Sequence, residues 1–114
     1  MNILDIVMPL LPVPVIKGHM PALPDDCVGI VEYNPPPPDH YFDGTRFLHN
    51  VQVRSRSLTA ATAYEAAEAC AKALNRHEDM QVSILQTSAV LDIGRDGANP
   101  ARQEYTVNFT VRRR

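Results

Sequence analysis

Nine of the ten prolines in this 114-residue chain fall within its first 38 positions, and only Pro100 lies beyond them. Proline fixes φ at about −65° and has no N–H to offer a ladder, so it belongs to edges, turns and first helical turns. The long hydrogen-bonded elements must therefore come mainly from the residues after 38. Within the proline-rich part, Asn34 is followed by Pro35 to Pro38 and then by Asp39-His-Tyr-Phe-Asp-Gly44. Consecutive prolines hold an extended form that cannot be a central strand. Between two strand-like segments they read as a stiff loop inside the domain; docking to an aromatic-grooved module is the other use of such a run.

With 45% hydrophobic and 21% charged residues the composition is globular, not disordered. The length supports one domain, residues 1–114, around one core. A formal net charge of −2 supplies no overall basic field for gripping nucleic acid. No apolar run approaches the ~20 residues that span a bilayer, so no membrane partner is expected. Met1–Leu11 is apolar but carries Asp5 and no basic start, so it does not read as a secretion signal. Cys27 and Cys70 are too few for a disulfide scaffold or a zinc site and read as reduced, buried small side chains of a cytosolic protein.

Charge is divided unevenly along the chain. Residues 1–45 hold Asp5, Asp25, Asp26, Glu32, Asp39 and Asp43 against Lys17, a net of −5, whereas residues 46–114 hold ten bases against seven acids, a net of +3. Either this is chance segregation over one surface, or the molecule has an acidic end and a basic end. The second arrangement suits head-to-tail contacts between identical copies, which close into a ring when the rotation permits.

Asn2 can cap a short helix in which Ile3, Leu4, Val7, Met8 and Leu11 follow helical spacing, until Pro9 and Pro12 stop it. Val13–Ile16 reads as a short edge strand, and Gly18 to Asp26 as a loop. Cys27–Tyr33 is apolar on both faces, as in a central strand covered at least partly on both sides. Arg46–Ser57 alternates: Phe47, His49, Val51 and Val53 point one way, and Leu48, Asn50, Gln52, Arg54 and Arg56 the other. The spacing predicts one long α-helix over about residues 60–77, with capping-box spacing at Thr62 and Glu65 or a cap one turn earlier at Thr59. Its small-residue stripe of Ala60, Ala63, Ala67, Cys70, Ala71 and Leu74 permits a close approach to a sheet. Gln81–Ile93 and Glu104–Arg112 read as two further strands joined as a hairpin through Gly94-Arg-Asp-Gly97 and Asn99-Pro100. The fold class is therefore α+β (α/β): a mixed, mostly antiparallel sheet with the long helix and the short N-terminal helix on one face, the other face polar and available.

Little of this carries reaction chemistry. His19, His40, His49 and His77 lack metal-ligand spacing, and neither cysteine has the cationic setting of an activated thiolate. Asp25-Asp26 and Glu78-Asp79 read as caps or solvated charge, and no glycine-rich phosphate loop precedes a helix. No catalytic, cofactor or metal site is expected. One alternative is a small enzymatic or ligand-binding domain with its site at the Pro35–Gly44 loop, using Asp39, His40 and Tyr41. Another is a nucleic-acid accessory domain using Arg54, Arg56 and Arg112–Arg114, against which the net charge argues.

Several stretches in order resemble a known family. They are Val15-Ile-Lys-Gly-His-Met-Pro21, Asp25-Asp-Cys-Val-Gly-Ile-Val-Glu-Tyr33 before the prolines, and Val51-Gln-Val-Arg-Ser-Arg56. The Tyr64-Glu-Ala-Ala67 helix and the Asp92-Ile-Gly-Arg-Asp-Gly97 to Glu104-Tyr-Thr-Val-Asn-Phe109 hairpin follow. The chain is similar to the tailed-bacteriophage minor capsid proteins related to tail terminators, the head–tail joining proteins. The resemblance implies a structural virion protein of the neck or tail end, assembled in the bacterial host cytoplasm and performing no reaction. Its copies would form a ring, commonly of six, that caps the tail tube protein and docks onto the head connector. DNA would pass through the lumen without sequence-specific binding. The residues expected at a subunit or partner interface are Tyr41, Phe42, Arg54, Arg56, Arg95, Arg112, Arg113 and Arg114.

Overall fold

The computed structural model of the protein describes residues 2–22, 24–33, 39–41, 44–95 and 101–113, with segments 39–41 and 44–47 described by backbone alone. Among these residues seven strands form one sheet: β1 (Ile16–Lys17), β2 (Cys27–Glu32), β3 (Asp39–Tyr41), β4 (Gly44–Ser57), β5 (Val82–Gln86), β6 (Leu91–Arg95) and β7 (Gln103–Arg113). Its order is β1-β2-β4-β7-β5, with β3 beside the start of β4 and β6 beside the first half of β7. Among the described residues only the β1–β2 pair is parallel, so the sheet is mixed and mostly antiparallel, as expected.

β4 and β7 make the spine of the sheet, in register from Phe47↔Arg113 to Ser57↔Gln103. Alternation along them places Val51, Val53, Val107, Phe109 and Val111 on one face, all fully buried. Helix α2 (Ala60–Leu74) covers that face with Ala63, Ala67, Cys70, Ala71 and Leu74, the small stripe that allows close approach. Helix α1 (Ile3–Val7) completes the same core with Ile3, Leu4, Ile6 and Val7. Asn2 caps α1, its side chain accepting from the Leu4 N–H at 2.8 Å, and Pro9 lies in the single 3-10 turn Met8–Leu10 that ends it.

Three boundaries differ from the sequence expectation, each for a tertiary reason. The edge strand sits at Ile16–Lys17, not Val13–Ile16, because the register Ile16↔Gly29 sets where it can pair with β2. Helix α2 starts at Ala60 as expected, with Thr59 and not the Thr62–Glu65 box as its cap position; the Thr59 N–H is held by the Ser57 hydroxyl at the end of β4. It ends at Leu74, short of residue 77, because Arg76 takes a left-handed φ of 63° and gives its N–H to the Ile84 carbonyl. The Gln81–Ile93 strand divides into β5 and β6, which run along the same edge of β7. Between them the Thr87 N–H and the Ser88 hydroxyl satisfy the Asn108 backbone, so the chain bows out without leaving that group unpaired. The expected hairpin then forms between β6 and β7, bulged at Asp92/Gly94 where Gly94 has a φ of 87°.

Candidate functional site

The uncovered sheet face presents a ladder of polar side chains. Gln52 donates to Asn108 at 3.1 Å, the Thr110 hydroxyl donates to Asn50 at 3.3 Å, and Arg54 reaches Gln52 at 3.4 Å. The first two join cross-strand partners of β4 and β7 and so follow from register, whereas the Arg54–Gln52 contact runs along β4. Arg54 and Arg112 stand exposed on this face, and Leu85 and Leu91 continue it onto β5 and β6 with 58% and 45% exposure. The face is therefore polar at its centre and aliphatic towards β5 and β6.

The β2 end of that face is closed. Expected beside Arg54 on the open surface, Arg56 is only 5% exposed. The segment before β2 folds over it. The Arg56 guanidinium donates to the carbonyls of Pro21 (2.7 Å), Pro24 (2.6 Å) and Asp25 (3.3 Å). Arg102, which no sequence pattern singled out, is 6% exposed and does the same from β7's approach. It donates to the Ala22 carbonyl at 2.5 Å and pairs with the Asp25 carboxylate at 2.8 Å. Ser57 adds a bond to Asp26 at 2.5 Å. Five donors of a guanidinium fork suit a cluster of loop carbonyls better than any other side chain. Beneath this strap the Gly29 backbone comes so close that a Cβ there would lie 2.9 Å from Met20 Cγ. Arg56 is thus a structural lock and not a surface charge, and the Arg102–Asp25 pair joins the basic half of the chain to the acidic half.

His49 Nδ1 pairs with Glu32 at 2.5 Å and His77 Nε2 with Asp79 at 2.7 Å. The His77 bond, with the N–H groups of Val82 and Gln81, holds the Asp79 carboxyl down at about 2. It closes the turn between α2 and β5. Burial pushes the Cys70 thiol up to about 11, and burial raises Cys27 also, against a smaller opposite pull from Arg56 and Arg102. Neither is an activated thiolate. Tyr64 on α2 packs edge-on against Tyr105 on β7 at 5.6 Å, and its hydrogen bond with Glu68 raises the phenol and lowers the carboxyl. Among the described residues, no three His, Cys, Asp or Glu side chains are grouped to hold a metal ion. Nor is any helix among them long and apolar enough to cross a membrane. A groove of about 190 Å³ opens between the N-terminal segment, β2 and α2, lined by Val13, Pro14, Cys27, Val28, Thr62 and Ala66 with Asp26 and Arg56.

The expected interface residues are scattered over this framework. Arg54 and Arg112 share the open face, Arg113 is half-buried at the end of β7, and Arg95 is exposed at the end of β6. Tyr41 lies in β3, placed by its backbone pairing with Gly44. Phe42 and Arg114 lie outside the described residues, as does most of the Pro35–Gly44 loop; Asp39 and His40 are placed by backbone alone in β3.

A protein-family model described as "Bacteriophage tail terminator protein" matches residues 5–113. No curated protein matches the chain. Among solved structures, a chain of the "Virion of native gene transfer agent (GTA) particle" superposes with a TM-score of 0.61 at 17% identity, over 95% of this chain and 84% of that one. At that identity the likeness is one of fold.

Proposed function

The chain belongs to the bacteriophage tail terminator family, and from that membership we propose that it closes the end of the phage tail. The family makes it a structural protein of the phage particle. In the finer reading, copies join in a ring, commonly of six, that caps the tail tube, docks onto the head connector and leaves a lumen for DNA. The protein then resides in the neck of the virion, is added during assembly in the host cytoplasm, and performs no reaction.

The family match across residues 5–113 carries this reading. The surface described above supports it: a scaffold braced by buried arginines, with an open polar sheet face and an aliphatic margin, is built for contact and not for turnover. Electron microscopy of particles made with and without the protein tests it. Absence of the protein is expected to give tails of irregular length that fail to join heads. Tails of normal length, joined normally to heads in its absence, would overturn the proposal.

A further inference from the structure

We propose that the β3–β4 arm of one copy, residues 39–46, lies on the open sheet face of the next, on the platform made by Leu48, Arg112 and Leu85. The inference rests on the ring reading and names the two surfaces that meet in it.

The arm stands outside the sheet proper. β4 has its outermost β2 partner at Val51↔Glu32 and its outermost β7 partner at Phe47↔Arg113. Beyond these it runs on to Gly44, where among the described residues it pairs only with β3, through Arg46↔Asp39, Thr45↔His40 and Gly44↔Tyr41. A two-stranded hairpin is marginally stable by itself and needs a third strand or a surface to pack on. At ~3.4 Å per residue, Gly44 lies about 14 Å along β4 from Leu48. The arm therefore cannot fold back onto its own platform while β3 and β4 stay paired, and a neighbouring copy supplies the surface.

The platform lies at the end of the sheet from which the arm departs. Arg112 is exposed there, opposite Leu48 on β4 and Ser83 on β5. Leu85, 58% exposed, is its diagonal neighbour in the next row, with Thr110 and Asn50. Those two rows contain no acid, so Arg112 is their one charge. The arm brings the complementary groups. Tyr41 ends β3 and Phe42 follows it in the sequence; aromatic rings suit both a guanidinium and leucine side chains. Register sets Asp39 against Arg46, which leaves Asp43 as the arm's unmatched charge. One carboxylate with two aromatics thus meets one guanidinium with two leucines. The wider charge agrees, since Tyr41 to Asp43 belong to the half of the chain with net charge −5, and Leu85 and Arg112 to the half with +3. Arm and platform are different surfaces, so each copy gives its arm to one neighbour and receives one from the other, the contact that a ring repeats.

Cross-linking of the full chain tests the assignment. Phe42→Cys puts a thiol on the arm and Leu85→Cys puts one on the platform, while Cys27 and Cys70 are buried. A disulfide forms only where two Cα atoms come within about 7 Å. With oxidised glutathione, a mixture of the two single variants should give a covalent dimer containing one of each. The double variant should give a series of covalent multimers beyond the dimer. Asp43→Lys and Arg112→Glu should each lower subunit affinity about tenfold, and together restore it, in native mass spectrometry. Double-variant chains that stay unlinked or link only in pairs overturn the arm assignment, as do charge reversals that leave assembly unchanged. In either case a wild-type chain that still assembles leaves the ring standing. A wild-type chain that stays monomeric with and without tail tubes overturns the ring, and this inference with it.

Discussion

Arg54 and Arg56 stand two residues apart on the same face of β4, yet the structure gives them opposite energetic roles, and replacing each with methionine separates them. Arg56→Met keeps most of the buried alkyl stem but removes the bonds to the carbonyls of Pro21, Pro24 and Asp25. Bonds from a charged donor contribute about 1.5–3 kcal/mol each. The carbonyls belong to a surface segment and regain water once it lifts, so the net loss falls well below the sum. Breaking a buried charged network from one side costs roughly 3–5 kcal/mol, and about 3 kcal/mol is the expected value here. For a domain of this size that lowers the melting midpoint by roughly 12 °C. Arg54→Met loses only an exposed 3.4 Å contact to Gln52 and should stay within about 0.5 kcal/mol of the wild type. Urea unfolding measures both, and the rate of Cys27 alkylation reports the strap directly, since Cys27 is 7% exposed beside Arg56. Arg56→Met should alkylate faster, whereas Arg54→Met should not. Equal stabilities for the two variants, with Cys27 equally protected, would refute the lock.

Gly29→Ala should cost about 1–3 kcal/mol, since its Cβ meets Met20 Cγ at 2.9 Å and the Gly18 carbonyl oxygen at 3.3 Å; Met20→Ala in the same chain should recover part of it in a urea titration. Asp79 is held at about 2 against an ordinary 3.8, so its contribution is complete above pH 3.8 and fades as pH falls towards 2. Asp79→Ala should accordingly flatten the acid limb of stability between those values, measured by urea midpoints across the range. Cys70 is raised from 9.0 to about 11, so its contribution is complete below pH 9 and is lost as pH rises towards 11. Cys70→Ala should remove that alkaline slope, and thiol titration of the folded wild type at neutral pH should leave Cys70 unreacted.

What could be read from the sequence was what local periodicity encodes. Val107, Phe109 and Val111 alternate with polar neighbours, and Ala63, Ala67, Cys70 and Leu74 recur at helical spacing, so β7 and α2 were legible from pattern alone. Arg56 was assigned to the right face and the wrong environment. Alternation fixes which way a side chain points but not what folds over it, and its partners lie 31 to 35 residues away. Arg102 was missed because its carbonyl and carboxylate partners are 77 to 80 residues distant. The break between β5 and β6 was equally hidden, because Ser88 matters only through Asn108 on another strand. Of the candidate contact surfaces, the arginines on the open face were visible as a pattern. The groove was not, since it is formed by three segments that meet only after folding.

β7 is the common neighbour of β4, β5 and β6, and Arg102 just before it secures the segment ahead of β2. The β6–β7 hairpin is local, but the central β4–β7 pairing joins residues 47–57 to 103–113 across α2, β5 and β6. Loop closure over most of the polypeptide must come first, which slows folding relative to a chain of local contacts. During synthesis the earlier segments must wait for residues 103–113 to leave the ribosome before the core can shut, so lesions in this final strand should lower the yield of folded protein more than equal lesions in α1.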